Sequence, residues 1–347
     1  MKRVSFIALI LLLTAAICGL IVSQRRLAEA RHVLATIPLC DDGRKQTILS
    51  TAGPVYRASF LDDSTLVYIN GEDLHLWRYK SGGPTKVFKG HTNTIQDYEI
   101  SPGRKQIATS SEDGTIRLWD ISSGGCLAVS EPLDTLDQPC WTMLHDIVFH
   151  PSGKRIMSAD MWGTKVWRTR DLKLISSEES DIFYLCCGLL SPDWKTVCSP
   201  IIPPAAIEGF RVYDDGECLM EHFSDDCPWC YSPDGKRLLT IKEDGTMYIW
   251  DVTPRILHKY RSRALMNGPK IHVTAAAFSK DGGQLVSAHT DGTIRVWNAR
   301  NGAQREVLHW EGHSIDCICF SPSGASIAAV SNDSGRLCIW GAFEWVL

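Results

Sequence analysis

"DGTIRLWD", Asp113 to Asp120, returns as "DGTMYIWD" at 244 to 251 and as "DGTIRVWN" at 291 to 298. Asp-Gly supplies the backbone freedom of a tight turn, and the alternating, β-branched run behind it suits one pleated strand. A turn and a strand ending in tryptophan, spelled three times, mean a repeat, and a repeat decides architecture before any single residue does.

The strand-ending aromatic serves as a ruler along the chain. It falls at Trp77, Trp119, Trp167, Tyr213, Trp250, Trp297 and Trp340, in steps of 37 to 48 residues. Upstream of each lies a second landmark: "SFLDD" at 59, "SPGRK" at 101, "HPSGK" at 150, "SPDWK" at 191, "SPDGK" at 232, "SKDGG" at 279 and "SPSGA" at 321. Each is a turn between two strand-like runs, so a unit reads strand, turn, strand, Asp-Gly turn, strand ending in an aromatic, then a fourth strand. Thr109, Thr240 and Ser287 stand ten residues before Trp119, Trp250 and Trp297, and Asp113, Asp244 and Asp291 stand six before them. "GH" precedes the first strand in two units, at Gly90-His91 and Gly312-His313. A buried indole N–H can only donate, so each tryptophan needs an acceptor inside its own sheet.

From about residue 44 to 341 this pattern resembles the WD40 repeat family, which implies an all-β fold, a seven-bladed β-propeller of four-stranded blades. In that family a Ser or Thr hydroxyl accepts the indole N–H and donates to the GH histidine, which bonds the turn Asp. Carried over, the set is Trp119, Thr109, His91 and Asp113. Blade seven offers Trp340, Ser331, His313 and Asp333 with an offset of one residue, and blade five is expected to draw on His222 beside Thr240, Asp244 and Trp250. Blade six carries Ser287, Asp291 and Trp297. Few residues follow Trp340, while "KQTILSTAG" at 45 to 53 precedes the first unit as "TKVFKGHTN" at 85 to 93 precedes the second. Lys45 to Ser50 is therefore expected to complete the seventh blade and remove two free sheet edges.

From Val4 to Val22 the chain is uncharged, and a helix of that length spans about 28 Å, close to the thickness of a bilayer core. Residues 1–23 are expected to be a retained membrane anchor, with a signal cleaved after Ala16-Ile17-Cys18 as the alternative. Residues 24–43 form a stalk, helix-compatible over 24 to 36, and 44–347 the propeller. Lys2 and Arg3 balance Arg25, Arg26 and Arg31, so orientation is not set by flanking charge. The 13 cysteines sit singly inside strand-like runs, which leans to a reducing compartment, while Asn332-Asp333-Ser334 is a formal glycosylation acceptor.

A net charge of -4 and a pI near 6.3 provide no basic footprint, so nucleic acid is not an expected partner. Cys227-Pro228-Trp229-Cys230 has redox-motif spacing, yet it lies in a first strand, as do Cys186, Cys187, Cys317 and Cys319 in other units, where small side chains suit a crowded channel. No cofactor or metal site of regular ligand spacing is present. Loops gathered on one rim would offer Trp141, Met161, Trp162, Tyr184 and Trp310 as anchors for a protein partner. Blade four departs furthest, with Trp194 at a turn-glycine position and Tyr213 on the ruler. The expected function is a non-catalytic scaffold tethered through residues 4–22. A propeller hydrolase or lyase working at the channel mouth is the alternative.

Overall fold

The computed structural model of the chain describes residues 33–35, 46–51, 53–81, 83–132, 146–160, 163–179, 189–201, 209–214, 217–223, 226–252, 262–266, 270–310 and 314–341. Asp-Gly turns start the repeated strands because the glycines take positive φ, +77° at Gly114, +83° at Gly245 and +78° at Gly292. A Cβ at Gly245 would also lie 1.9 Å from the Ile271 carbonyl oxygen, so no other residue fits there.

Two strands come first, β1 (Val33–Ala35) and β2 (Gln46–Ser50), paired with one another. Sheet 1 follows as β3 (Ala58–Asp62), β4 (Thr65–Asn70), β5 (Asp73–Arg78) and β6 (Gly83–Phe88). Sheet 2 is β7 (Ile95–Ile100), β8 (Gln106–Ser111), β9 (Ile116–Asp120) and β10 (Cys126–Val129). Sheet 3 is β11 (Asp146–Phe149), β12 (Arg155–Asp160), β13 (Gly163–Arg168) and β14 (Lys173–Glu179). Sheet 4 is β15 (Leu189–Leu190), β16 (Thr196–Ile201), β17 (Gly209–Asp214) and β18 (Glu217–Phe223). Sheet 5 is β19 (Asp226–Tyr231), β20 (Arg237–Lys242), β21 (Met247–Asp251) and β22 (Ser262–Met266). Sheet 6 is β23 (Val273–Phe278), β24 (Gln284–His289), β25 (Thr293–Asn298) and β26 (Gln304–His309). Sheet 7 takes β27 (Cys317–Phe320), β28 (Ser326–Ser331) and β29 (Arg336–Gly341) from the end of the chain, and β2 and then β1 from its start.

All pairs are antiparallel, and β2 lies on β29 with Gln46 opposite Trp340 and Ser50 opposite Arg336, the closure expected for residues 45 to 50. The stalk differs from expectation: Val33 to Ala35 is a strand, because a free sheet edge beside β2 gives its backbone groups partners that an isolated short helix lacks. Residues 4–22 lie outside the described residues, and among those described no helix is long and apolar enough to cross a membrane.

The first strands of neighbouring sheets touch, β27 with β3, β7 with β11, β15 with β19 and β23 with β27, so they form the inner wall. Apolar side chains fill most of the interfaces between sheets. Phe88, Tyr98 and Trp119 join sheets 1 and 2. Leu239, Met247 and Trp297 join sheets 5 and 6. Leu49, Phe60 and Trp77 join sheets 7 and 1. Between sheets 3 and 4 the tie is aromatic and cationic: the Trp194 ring meets His150 edge-on at 5.0 Å and lies 6.0 Å from the Arg155 guanidinium carbon. Trp194 reaches there from a left-handed turn position, φ 62°, where four other units hold Gly153, Gly235, Gly282 and Gly324 and the second holds Arg104, φ 52°. The odd residue of the fourth landmark is thus the bridge to the neighbouring sheet.

The serine of the landmark has one recurring task. The hydroxyls of Ser101, Ser191, Ser232, Ser279 and Ser321 accept the backbone N–H five residues on, at 2.9 to 3.1 Å, closing the turn between first and second strands.

Candidate functional site

Sheet 2 shows how a strand-ending tryptophan fixes a loop. Trp119 donates its indole N–H to Thr109 Oγ1 at 2.9 Å, Thr109 Oγ1 lies 2.7 Å from His91 Nε2, and His91 Nδ1 lies 2.8 Å from Asp113 Oδ2. With the Thr109 hydroxyl donating to Nε2 and the imidazole proton on Nδ1, every polar atom in this chain is matched. Asp113 then holds the rim itself, accepting the Thr92 and Thr115 amides at 3.1 and 3.0 Å and the Thr115 hydroxyl at 2.6 Å. Burial raises the Asp113 carboxyl, but the hydrogen bonds from His91, Thr115 and Thr92 outweigh it and leave the group well below the usual carboxylate range.

The other sheets solve the same satisfaction problem with other residues. Trp250 donates to Thr240 Oγ1 at 2.8 Å, and Thr240 donates to Asp226 Oδ2 at 2.6 Å, so Asp226 takes the place expected for His222. His222 instead belongs to β18, in sheet 4. Asp244 keeps to its own turn: hydrogen bonds from Thr246, aided by Lys270 at 3.1 Å, hold its carboxyl at about 2. In sheet 6 Trp297 donates to Ser287 Oγ at 2.8 Å, and Ser287 Oγ lies 2.9 Å from Nε2 of His289, two residues along the same strand. Asp291 caps Thr293, accepting its amide at 2.9 Å and its hydroxyl at 2.6 Å. Trp167, for which no acceptor is evident at ten residues, donates to Ser158 Oγ at 2.8 Å from a spacing of nine.

Burial holds the His289 imidazole below its ordinary value of 6.5; Arg295 pushes the same way, while the Ile271 carbonyl and Asp291 oppose. The folded protein is the poorer proton acceptor, so this contribution to stability is whole above about pH 6.5 and is lost as pH falls through the lower, folded-state value. A His289→Asn variant is expected to lose less melting temperature than wild type between about pH 7.5 and pH 5. Equal losses in calorimetry would remove His289 from this role.

The seventh sheet corrects two expectations. Thr109, Ser158, Thr240 and Ser287 lie opposite Arg117, Lys165, Tyr248 and Arg295, each two residues before the tryptophan. In sheet 7 the residue two before Trp340 is Cys338, and it lies opposite Ala329, with Ser331 two places further along the strand. The hydroxyl position is therefore occupied by a methyl group, and Trp340 Nε1 and Ser331 Oγ are both buried without a hydrogen-bond partner among the described residues. Asp333 is exposed in its turn, and the turn amide of Asn332 goes to Asp316 Oδ2 at 2.7 Å. His313 lies outside the described residues. The equivalent position in sheet 1, opposite His75, is Tyr68, and Trp77 Nε1 is likewise without a partner there.

Trp310, expected at the rim, is 5% exposed and packs edge-on against Trp340 at 5.8 Å. It stands two residues before Gly312, as Phe88 stands two before Gly90, and Phe88 meets Trp119 edge-on at 5.9 Å in the same way. Both are core residues packed on a strand-ending tryptophan. Trp310→Ala is expected to cost about 3 kcal/mol of folding stability through the cavity it leaves, read as a lower denaturant midpoint with or without any partner. Trp141, Met161, Trp162 and Tyr184 lie outside the described residues.

The inner wall carries the remaining candidates. Asp97 of β7 accepts the Arg57 guanidinium from the approach to sheet 1, the Tyr98 amide at 2.8 Å and the Ile147 amide of sheet 3 at 3.1 Å. One buried carboxylate so binds three successive sheets. Cys317 and Cys319 of β27 are free thiols raised by burial, and burial pushes Cys230 up to about 12. Cys227 of the same motif is exposed. A thiol held protonated is a weak nucleophile and a poor metal ligand. Among the described residues no three His, Cys, Asp or Glu side chains are placed to hold a metal.

A sequence profile of the family described as WD domain, G-beta repeat, matches residues 82–120, 218–251, 263–298 and 304–341. Among solved structures, the β-propeller domain of Cps50 (Swd1) from Myceliophteria thermophila aligns with a TM-score of 0.66 at 12% identity, covering 84% of this chain and 98% of that one. The Periodic tryptophan protein 2 homolog of Dictyostelium discoideum is 23% identical over 230 residues, 52% of this chain and 24% of its own length. The Target of rapamycin complex subunit wat1 of Schizosaccharomyces pombe is 24% identical over 188 residues, 48% of this chain and 54% of its own. Eukaryotic translation initiation factor 3 subunit I of Aspergillus fumigatus is 30% identical over 82 residues, 24% of this chain and 22% of its own. The chain spans between 22% and 54% of the lengths of these three relatives. It has the β-propeller fold and carries, in four of its segments, the WD domain, G-beta repeat.

Proposed function

We propose that this protein is a seven-bladed member of the WD40 family and a non-catalytic scaffold, which binds protein partners through the rim of its Asp-Gly turns and is tethered to a membrane by residues 4–22. One observation carries the scaffold reading. The groups that look catalytic are already spent on structure: His91, Asp113 and Thr109 are closed on Trp119 and on rim amides, and the thiols of Cys230, Cys317 and Cys319 are held protonated. Such relays make rigid loops, and rigid loops bind at low entropic cost. That two of the relatives are named as subunits supports the same reading.

The tether gains support from β1, which starts at Val33 opposite Ser50, at the Asp-Gly-turn end of sheet 7. Residues 23 to 32 reach at most about 35 Å when extended, so an anchor at 4–22 would hold the rim near the bilayer and favour partners that are themselves at the membrane. Affinity capture from the protein's own membrane, with partners quantified for wild type, Trp141→Ala and Trp162→Ala, tests the rim. Recovery of the same proteins at the same yield from all three would refute it. Extraction of the protein by carbonate at high pH would refute the anchor.

A further inference from the structure

Among the six tryptophans of the ruler, Trp119, Trp167, Trp250 and Trp297 have their N–H bonded to a hydroxyl, and Trp77 and Trp340 do not. The two exceptions stand in neighbouring sheets, 1 and 7. Tyr68 Oη, at the hydroxyl position of sheet 1, is also buried without a partner, its ring stacked on His75 at 4.9 Å. Sheet 7 is itself the place where strands from opposite ends of the chain pair, β2 on β29, and sheet 1 is its neighbour.

The location matters because an unpaired buried N–H penalises only the closed state. Gln46 of β2 lies directly opposite Trp340, so lifting β2 brings water toward the indole and relieves that penalty. A turn of the chain joins β28 to β29, whereas no hairpin joins β29 to β2, whose pairing is reinforced, among the described residues, only at the Ser50 end, where the Thr51 amide and hydroxyl both donate to the Gly335 carbonyl at 2.9 Å. We propose that the β2–β29 join is a built-in strap that opens locally, well before the rest of the ring, with the unsatisfied Trp340 indole as the bias toward opening.

Ala329 provides the test. A serine there would occupy the position that Ser287 holds in sheet 6 and give Trp340 its missing acceptor. Hydrogen exchange on the full-length protein, resolved by peptide, is expected to show β2 amides exchanging at least tenfold faster than those of β25. Ala329→Ser is expected to slow β2 about fivefold and leave β25 unchanged, the size of one net hydrogen bond. The reciprocal variant, Ser287→Ala, strands the Trp297 indole and is expected to quicken β25 by a similar factor. Equal rates for β2 and β25 in wild type overturn the proposal, as does a folded Ala329→Ser protein with unchanged β2. Should that variant fail to fold, an unchanged β25 in Ser287→Ala overturns it instead.

Discussion

Asp97→Ala is expected to lower folding stability by about 3 kcal/mol, because it strands a donor in each direction. The Ile147 amide loses its acceptor inside the interface of sheets 2 and 3, and the Arg57 guanidinium loses its counter-charge. Arg57 is 43% exposed and can turn toward water, so its share is the smaller one. Asp97→Asn keeps an oxygen for one amide but loses the charge that attracts Arg57, and is expected to fall about midway. Chemical denaturation of the three proteins reads this directly. If alanine costs less than about 1 kcal/mol, the carboxylate does not bind the three sheets together.

Trp119→Ala is expected to cost about 4 kcal/mol, the range for removing a fully buried aromatic ring. The ring is 1% exposed among Phe88, Ile107 and Tyr98, and its loss also leaves the Thr109 hydroxyl without its donor. The consequence reaches the surface, because Thr109 positions His91 and His91 positions Asp113. Amides of Thr92 and Thr115 should therefore lose protection from exchange. Thr109→Val separates packing from relay: it keeps the volume, strands the indole N–H and His91, and is expected to cost about 2 kcal/mol. If Thr109→Val leaves Thr92 and Thr115 as protected as in wild type, the relay does not hold the rim.

Where the sequence was informative, a single residue carried both a spacing and a chemical need. Trp119, Trp250 and Trp297 each required an acceptor, and a hydroxyl ten residues upstream met it. Ser158 was hidden by a turn one residue shorter, which moves the same strand register to a spacing of nine. Sheet 7 shows the converse, since Ser331 has that spacing of nine from Trp340 but a longer turn places it beyond the indole and leaves Ala329 in register. Asp226 and His289 replace the GH histidine from strands of their own sheets, so no fixed motif announces them. Trp310 could have been placed in the core by its equivalence to Phe88, but its proximity to the GH turn suggested the rim. Asp97 was illegible because its partners lie in sheets 1 and 3, and no local pattern records a contact between blades.

The pairing of Gln46 with Trp340 sets a schedule for biosynthesis. At about 5 to 20 residues per second the ribosome needs on the order of 15 to 60 s to make the stretch between them. Throughout that time the first ribbon has emerged and its mate does not exist. Blades can condense one after another behind it, but the nascent chain remains an arc with two sticky ends until the last strand has emerged. A chaperone that shields the early ribbon would therefore act on this protein early and for as long as synthesis lasts, and truncation short of the last strand would be as damaging as deletion of the first.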